Sequence, residues 1–354
     1  MTEELTHLAA GVICSGFEGT TSSEALEAVS ILPLAGFILF SRNAESVETA
    51  RTLTDVLREQ YHELAPILAI DQEGGRVARL RDDVTQIPSA RTIGATGQPE
   101  FARRAGMQVG HDLRRAGLNL DFAPVLDLAL LDDNTVIGDR AFSGDPQVVT
   151  DFGRAFANGL QASGIVPTFK HFPGHGSTTV DSHFALPVIE AEEEMIRMRD
   201  LMPFANLLPG AEAVMTAHVI FTAFDSERPV TLANSLLQGV LRDQVHFDGV
   251  CFTDCMQMDA VAKSFGSEEG SVQALVAGAD CILLSNGVEL ARKIIEAIEQ
   301  AVTTGRLSLE RLKEAHWRVQ RLRRRLNDPL PLDAEPPEPE IGREIERAVT
   351  AHPA

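Results

Sequence analysis

Eight short apolar runs recur along the chain, each closing on polar residues and each followed by a stretch of helical spacing. They occupy residues 11–17, 36–40, 66–71, 118–125, 165–172, 211–218, 249–254 and 280–285. Their apolar positions are contiguous, where a sheet with one wet face would alternate, and this suits parallel strands covered on both faces. Between the runs the period changes. Val149, Phe152, Phe156 and Leu160 fall at steps of three and four before Gly164, and Phe101, Ala105, Val109 and Leu113 at steps of four before Gly117. Each set marks one buried helical stripe ended by a glycine. Eight successive β-then-α units predict an α/β fold, a single (β/α)8 barrel of the TIM type over residues 1–327. A doubly wound open sheet also accommodates eight units, but no G-x-G-x-x-G follows the first run.

A last helix, predicted over 308–326, carries Arg321, Arg323, Arg324 and Arg325 near its end, where cations suit the negative pole of the helix dipole. The character then shifts. Residues 328–354 open with DPLPLDAEPPEPE, a proline-rich acidic tail, and the segment beyond it is expected to form one or two helical turns.

A chain of 354 residues, 44% hydrophobic, is globular and long enough to bury a large core. Its 51 acidic against 31 basic residues give a net charge of −20, which repels phosphate backbones and anionic lipid and argues against nucleic-acid or membrane partners. No apolar run is long enough to span a bilayer, and the N-terminal stretch bears Glu3 and Glu4 where a secretory signal carries basic residues; a cytoplasmic location is expected. Cys14, Cys251, Cys255 and Cys281 form no C-x-x-C pattern, and three of them sit in apolar runs as small hydrophobes.

Active sites of such barrels lie at the C-terminal ends of the strands. Here those ends hold Asp71, Asp121, Asp127, Lys170, His171, His218 and Asp254. Any one carboxylate among them could be a helix cap; their convergence on one rim is what suggests a site. The segment Lys170–His183, KHFPGHGSTTVDSH, leaves the fifth run as a shaped loop because Pro173, Gly174 and Gly176 bar regular structure. Its small residues lead us to expect few anchoring contacts over 173–182, and hence a lid. Near its end Asp181 and His183 stand two apart. A carboxylate beside an imidazole makes a proton shuttle near neutral pH, although the same pair also occurs as a plain hydrogen-bonded loop histidine. Asp254 closes the buried run GVCFTD, where a charge is costly unless paired or functional, and a carboxylate so placed could attack an anomeric carbon.

Taken together, AIDQEGGRVARL, VIGDRAF, KHFPGHG followed by DSH, MTAH and FTDCMQM resemble the bacterial β-N-acetylglucosaminidases of glycoside hydrolase family 3, in order and spacing, over roughly residues 7–300. The resemblance implies a retaining exo-β-N-acetylglucosaminidase that needs no cofactor or metal. It implies Asp254 as nucleophile, His183 as acid/base and Asp181 as its orienting partner, with Asp71, Arg79, Arg140, Lys170 and His171 holding the sugar hydroxyls. It also implies a small carbohydrate substrate, by analogy with relatives that recycle peptidoglycan fragments. Cys255 after the nucleophile departs from the family pattern, and it is expected to face away from Asp254 because successive strand residues alternate. The Gly-Gly of DQEGGRVARL lacks the Lys-Ser/Thr of a P-loop and reads as a tight turn positioning Arg79. The single tryptophan, Trp317, lies in the last helix, so no stacking platform for a long polysaccharide is evident.

Other readings compete. A metal-dependent hydrolase on the same barrel would draw on His171 and His218, yet the first strand ends without H-x-H. A non-catalytic sugar-binding barrel would keep Asp71, Arg79 and Lys170 but would have no need of Asp181, His183 and Asp254 together. Within glycosidases, a β-N-acetylglucosaminide phosphorylase or a β-glucosidase would use the same nucleophile.

Overall fold

A computed structural model of the chain describes residues 3–30, 33–131, 134–178, 186–327 and 337–351, with the side chains of 28–30 left aside. All eight predicted runs contain strands: β1 (Ile13–Ser15), β2 (Gly36–Leu39), β3 (Ile67–Ile70), β4 (Leu120–Asp121), β5 in two pieces (Val166–Pro167 and Phe169–Phe172), β6 (Ala213–Thr216), β7 (Val250–Cys255) and β8 (Cys281–Leu284). Each pairs in parallel with its sequence neighbours, and β1 pairs with β8 through Cys14 and Leu283. The split in β5 completes the ring, because its first piece pairs with β4 and its second with β6.

The contiguous apolar runs now have a physical explanation. Cys14, Ile38, Ala69, Met215, Phe252 and Leu283 point into the barrel and form an inner core, in which Phe122 meets Phe252 edge-on at 5.4 Å between ring centroids. Their strand neighbours Ile13, Phe37, Leu39, Leu68, Ile70, Val214 and Ile282 point outward into a second core beneath the helices. Both faces are buried, so apolar side chains fill both along most of each strand.

The two predicted helical stripes lie on helices Pro99–Arg115 and Pro146–Ala162, which end before Gly117 and Gly164 at φ of 76° and 80°. Asp145 caps the second by accepting from the amides of Gln147 and Val148. The two helices pack backbone to backbone, since a Cβ at Gly106 would lie 2.2 Å from the Phe156 carbonyl oxygen. Helix Leu309–Asn327 sends Val319 and Leu322 into the inner core. The C-terminal segment is longer than the one or two turns expected: Ile341–Ala351 is an 11-residue helix whose Ile341 and Ile345 are fully buried in the outer core.

Candidate active site

At the C-terminal ends of the strands lies a cavity of ≈ 490 Å³, lined from five strand ends by Phe40, Asp71, Lys170, Asp254 and Ser285 among others. Of the eight candidate site residues, Asp71, Arg79, Arg140, Lys170, His171 and Asp254 all line it. Asp181 and His183 lie outside the described residues.

One wall is an ionic cluster built on the segment after β3. Asp71 and Glu73, two apart in extended chain, face the same side. The Lys170 ammonium, which is 2% exposed, sits 2.8 Å from Asp71 Oδ1 and 2.6 Å from Glu73 Oε1. Arg140 holds Glu73 bidentately at 2.7 and 2.8 Å, and Arg79 reaches Asp71 at 3.3 Å while lying over the Phe40 ring. Burial pushes both carboxyls up, but Lys170 with Arg79 or Arg140 outweighs it, so Asp71 and Glu73 end below the ordinary carboxylate range. Burial likewise opposes the charge on Lys170, and Asp71 and Glu73 more than restore it.

Arg79 arrives by the expected tight turn. Gln72–Gly74 pairs antiparallel with Val77–Ala78, and Gly74 and Gly75 take φ of 94° and 55°, which only glycine adopts freely. Gln72 fixes the hairpin, its Oε1 accepting from the amides of Arg79 and Leu80 at 2.8 and 3.1 Å.

The opposite wall carries Asp254, whose Oδ1 accepts from the Cys255 amide at 2.7 Å. Burial alone would raise this carboxyl, yet His171, His218 and that amide leave it below the usual range, an ionised group aimed at the cavity. Cys255 does not face away as expected. The β7–β8 register slips between Phe252 and Cys255, and the bulge turns both Asp254 and Cys255 to the cavity. His218 is fully buried: its Nδ1 meets Thr231 Oγ1 at 2.8 Å and its Nε2 the Cys255 carbonyl oxygen at 3.0 Å, so it steadies the strand end and is no cavity group.

The loop after β5 is far better anchored than its composition suggested, at least over its described part. His171 Nδ1 bonds Asp127 Oδ2 at 2.6 Å, and Asp127 Oδ1 accepts from the His175 amide at 2.7 Å. Asn134 Nδ2 donates to the carbonyls of His175 and Gly176, and Ser177 Oγ donates to the buried Asp200. Burial drives the His175 imidazole down to about 4, so it is neutral at pH 7. Contacts of this density correct the few-anchors premise for 173–178; the rest of the suggested lid lies outside the described residues. His171 and His218, the candidate ligands of a metal site, are each committed to protein partners.

Sequence reasoning missed Glu73, although its spacing from Asp71 in D-Q-E was a legible same-face signal. It noted Asp127 without seeing that this residue orients His171.

A parallel eight-stranded barrel with a cluster of ionised groups at its C-terminal rim is the architecture of a barrel enzyme. The chain belongs to glycosyl hydrolase family 3: the model for that family's N-terminal domain matches residues 3–322. It is a glycoside hydrolase. A β-hexosaminidase of Methylococcus capsulatus is 36% identical over 301 residues, covering 80% of this chain and 89% of the relative. β-Hexosaminidase A of Pseudoalteromonas piscicida is 31% identical over 340 residues, covering 88% of this chain, which spans only 57% of that longer protein. The solved family 3 β-N-acetylglucosaminidase of Paenibacillus sp. FPU-7 superposes with a TM-score of 0.88 at 35% identity, over 98% of this chain and 68% of that one.

Proposed function

We propose that the chain is a retaining exo-β-N-acetylglucosaminidase in which Asp254 is the nucleophile and His183, oriented by Asp181, is the acid/base. The observation that carries this reading is the depressed, ionised Asp254 at the end of β7, sharing one cavity with the Asp71–Lys170–Arg79 cluster. In the first step the Asp254 carboxylate attacks the anomeric carbon. The bond to the aglycone oxygen breaks, and that oxygen takes the proton of the His183 imidazolium. In the second step water gives a proton to neutral His183 and its oxygen displaces Asp254, so the β configuration returns. Asp71, Arg79, Arg140, Lys170 and His171 bind the sugar hydroxyls. Charged partners suit this because such hydrogen bonds are about twice as strong as neutral ones.

A cavity of this volume suits a terminal sugar removed singly. The natural substrate on this reading is a peptidoglycan turnover fragment and the location cytoplasmic; among the described residues no helix is long and apolar enough to cross a membrane. The barrel over 1–327 is taken as the catalytic unit, with 328–354 as its appendage.

The test compares release of p-nitrophenol from the β-N-acetylglucosaminide and the β-glucoside, with the product anomer followed by NMR. Preference for the former with β-N-acetylglucosamine released first supports the reading. An α product, or equal rates on both, overturns it. In His183→Ala, azide should restore turnover of the activated substrate as the β-azide, and it should not do so in Asp254→Ala.

A further inference from the structure

The helix Ile341–Ala351 plays no part in the chemistry above, yet its contacts lead to the sugar-binding hairpin. It lies on helix Pro99–Arg115 and on the short helix Ala90–Gly94. Ile341 and Ile345 are buried, Arg104 is ion-paired with both Glu338 and Glu344, and the Glu338 amide donates to Gln108 Oε1 at 2.5 Å. Gln108 Nε2 in turn donates to Asp112 Oδ2 at 3.0 Å, which also accepts from the Thr85 amide at 3.0 Å.

The segment that begins at Thr85 is therefore held from one side. Gly342 touches it directly, since a Cβ there would lie 2.2 Å from the Gln86 carbonyl oxygen. From its other side the same segment grips the Gly74–Gly75 turn. The Gly75 amide donates to the Ile87 carbonyl at 2.8 Å, a Cβ at Gly74 would lie 2.8 Å from the Pro88 carbonyl oxygen, and one at Gly75 would lie 2.9 Å from Ser89. Residues 86–89 are thus a thin spacer, one backbone thick, between the C-terminal helix and the turn that carries Glu73 and leads to Arg79.

We propose that the C-terminal helix is a brace that sets the position of the sugar-binding hairpin, with Gly342 and Ile345 as positioning residues for substrate affinity. The inference rests on the reading that Asp71 and Arg79 hold the sugar. A brace of the hairpin alone acts on binding common to ground and transition states, and so moves KM with little change in kcat. A helix that only adds buried apolar area would move the melting temperature and leave KM alone.

The test uses the whole 354-residue chain. In Gly342→Ala the added methyl must displace the Gln86 carbonyl. KM and the inhibition constant of N-acetylglucosamine should rise together by roughly three- to tenfold, with kcat within about twofold. The Gly75 amide should also exchange faster. Ile345→Ala should follow the same pattern, and Arg79→Ala sets the scale for loss of the sugar contact. If Gly342→Ala fails to fold, Arg104→Ala, which releases Glu338 and Glu344, makes the same measurement. Should Arg79→Ala raise KM while the brace variants shift only the melting temperature, the brace is refuted and the site reading stands. Should Arg79→Ala itself leave KM and the inhibition constant unchanged, the underlying site reading fails.

Discussion

The carboxylate of Asp127 holds the His171 imidazole at 2.6 Å through Nδ1, and neither group is open to solvent by more than 8%. That bond assigns the Nδ1 proton to the pair and leaves Nε2 as the ring's remaining nitrogen at the cavity wall. Burial would raise Asp127, but His171 and the His175 amide keep it ionised and below its ordinary range.

Asp127→Asn should therefore misalign His171 and loosen the loop at His175 together. Losing a charge-assisted hydrogen bond costs about 1.5–3 kcal/mol, so kcat/KM should fall on the order of tenfold to a hundredfold, with a lower melting temperature. Steady-state kinetics on the p-nitrophenyl substrate would check this. An unchanged kcat/KM in a correctly folded variant contradicts the assigned role.

Asp121 behaves oppositely to its neighbours. Its Oδ1 accepts from the Gln72 amide at 2.9 Å, while the buried Oδ2 has no hydrogen-bond partner among the described residues. Burial, reinforced by Asp71 and Glu73, raises this carboxyl well above its ordinary value. A group raised on folding stabilises fully below its unfolded pKa, about 4, and loses that contribution as pH climbs toward the folded value. The loss runs at up to about 1.4 kcal/mol per pH unit. Asp121→Asn cannot titrate, so its melting temperature minus that of the parent should grow between pH 4 and pH 7. A constant offset across that range means Asp121 is ionised in the fold.

Of the four cysteines, Cys14, Cys251 and Cys281 are buried and only Cys255 is partly open, at the cavity beside Asp254. Iodoacetamide should label Cys255 alone, slowly, because burial pushes its thiol up. Labelling should abolish activity, and N-acetylglucosamine should protect. Peptide mapping that finds modification with full activity retained would place Cys255 away from the substrate.

Much of this was legible beforehand because barrel strands and helices are specified locally. The eight runs, the glycine stops at Gly117 and Gly164, and the Gly74–Gly75 turn all follow from period and backbone freedom. What escaped depends on third dimensions. The bulge that turns Cys255 inward is a register slip between β7 and β8, which no single strand encodes. His218 has the right place at a strand end, and the approach of Thr231 and the Cys255 carbonyl turns it inward. The anchoring of loop 173–178 comes from Asp127, Asn134 and Asp200, which lie outside the loop's own sequence and are mute until folded. The C-terminal helix was expected as only one or two turns, and its seat against Gln86, some two hundred and fifty residues earlier, is invisible to local pattern.

In the proposed mechanism Asp254 forms a covalent bond to the sugar. A 5-fluoro derivative of an activated β-N-acetylglucosaminide slows release of the intermediate, and mass spectrometry of the digested enzyme would then locate the adduct. One sugar per chain is expected, attached within the peptide containing Asp254 and absent from Asp254→Ala. A sugar found on any other residue, or turnover with no adduct while Asp254→Ala stays active, would contradict the mechanism.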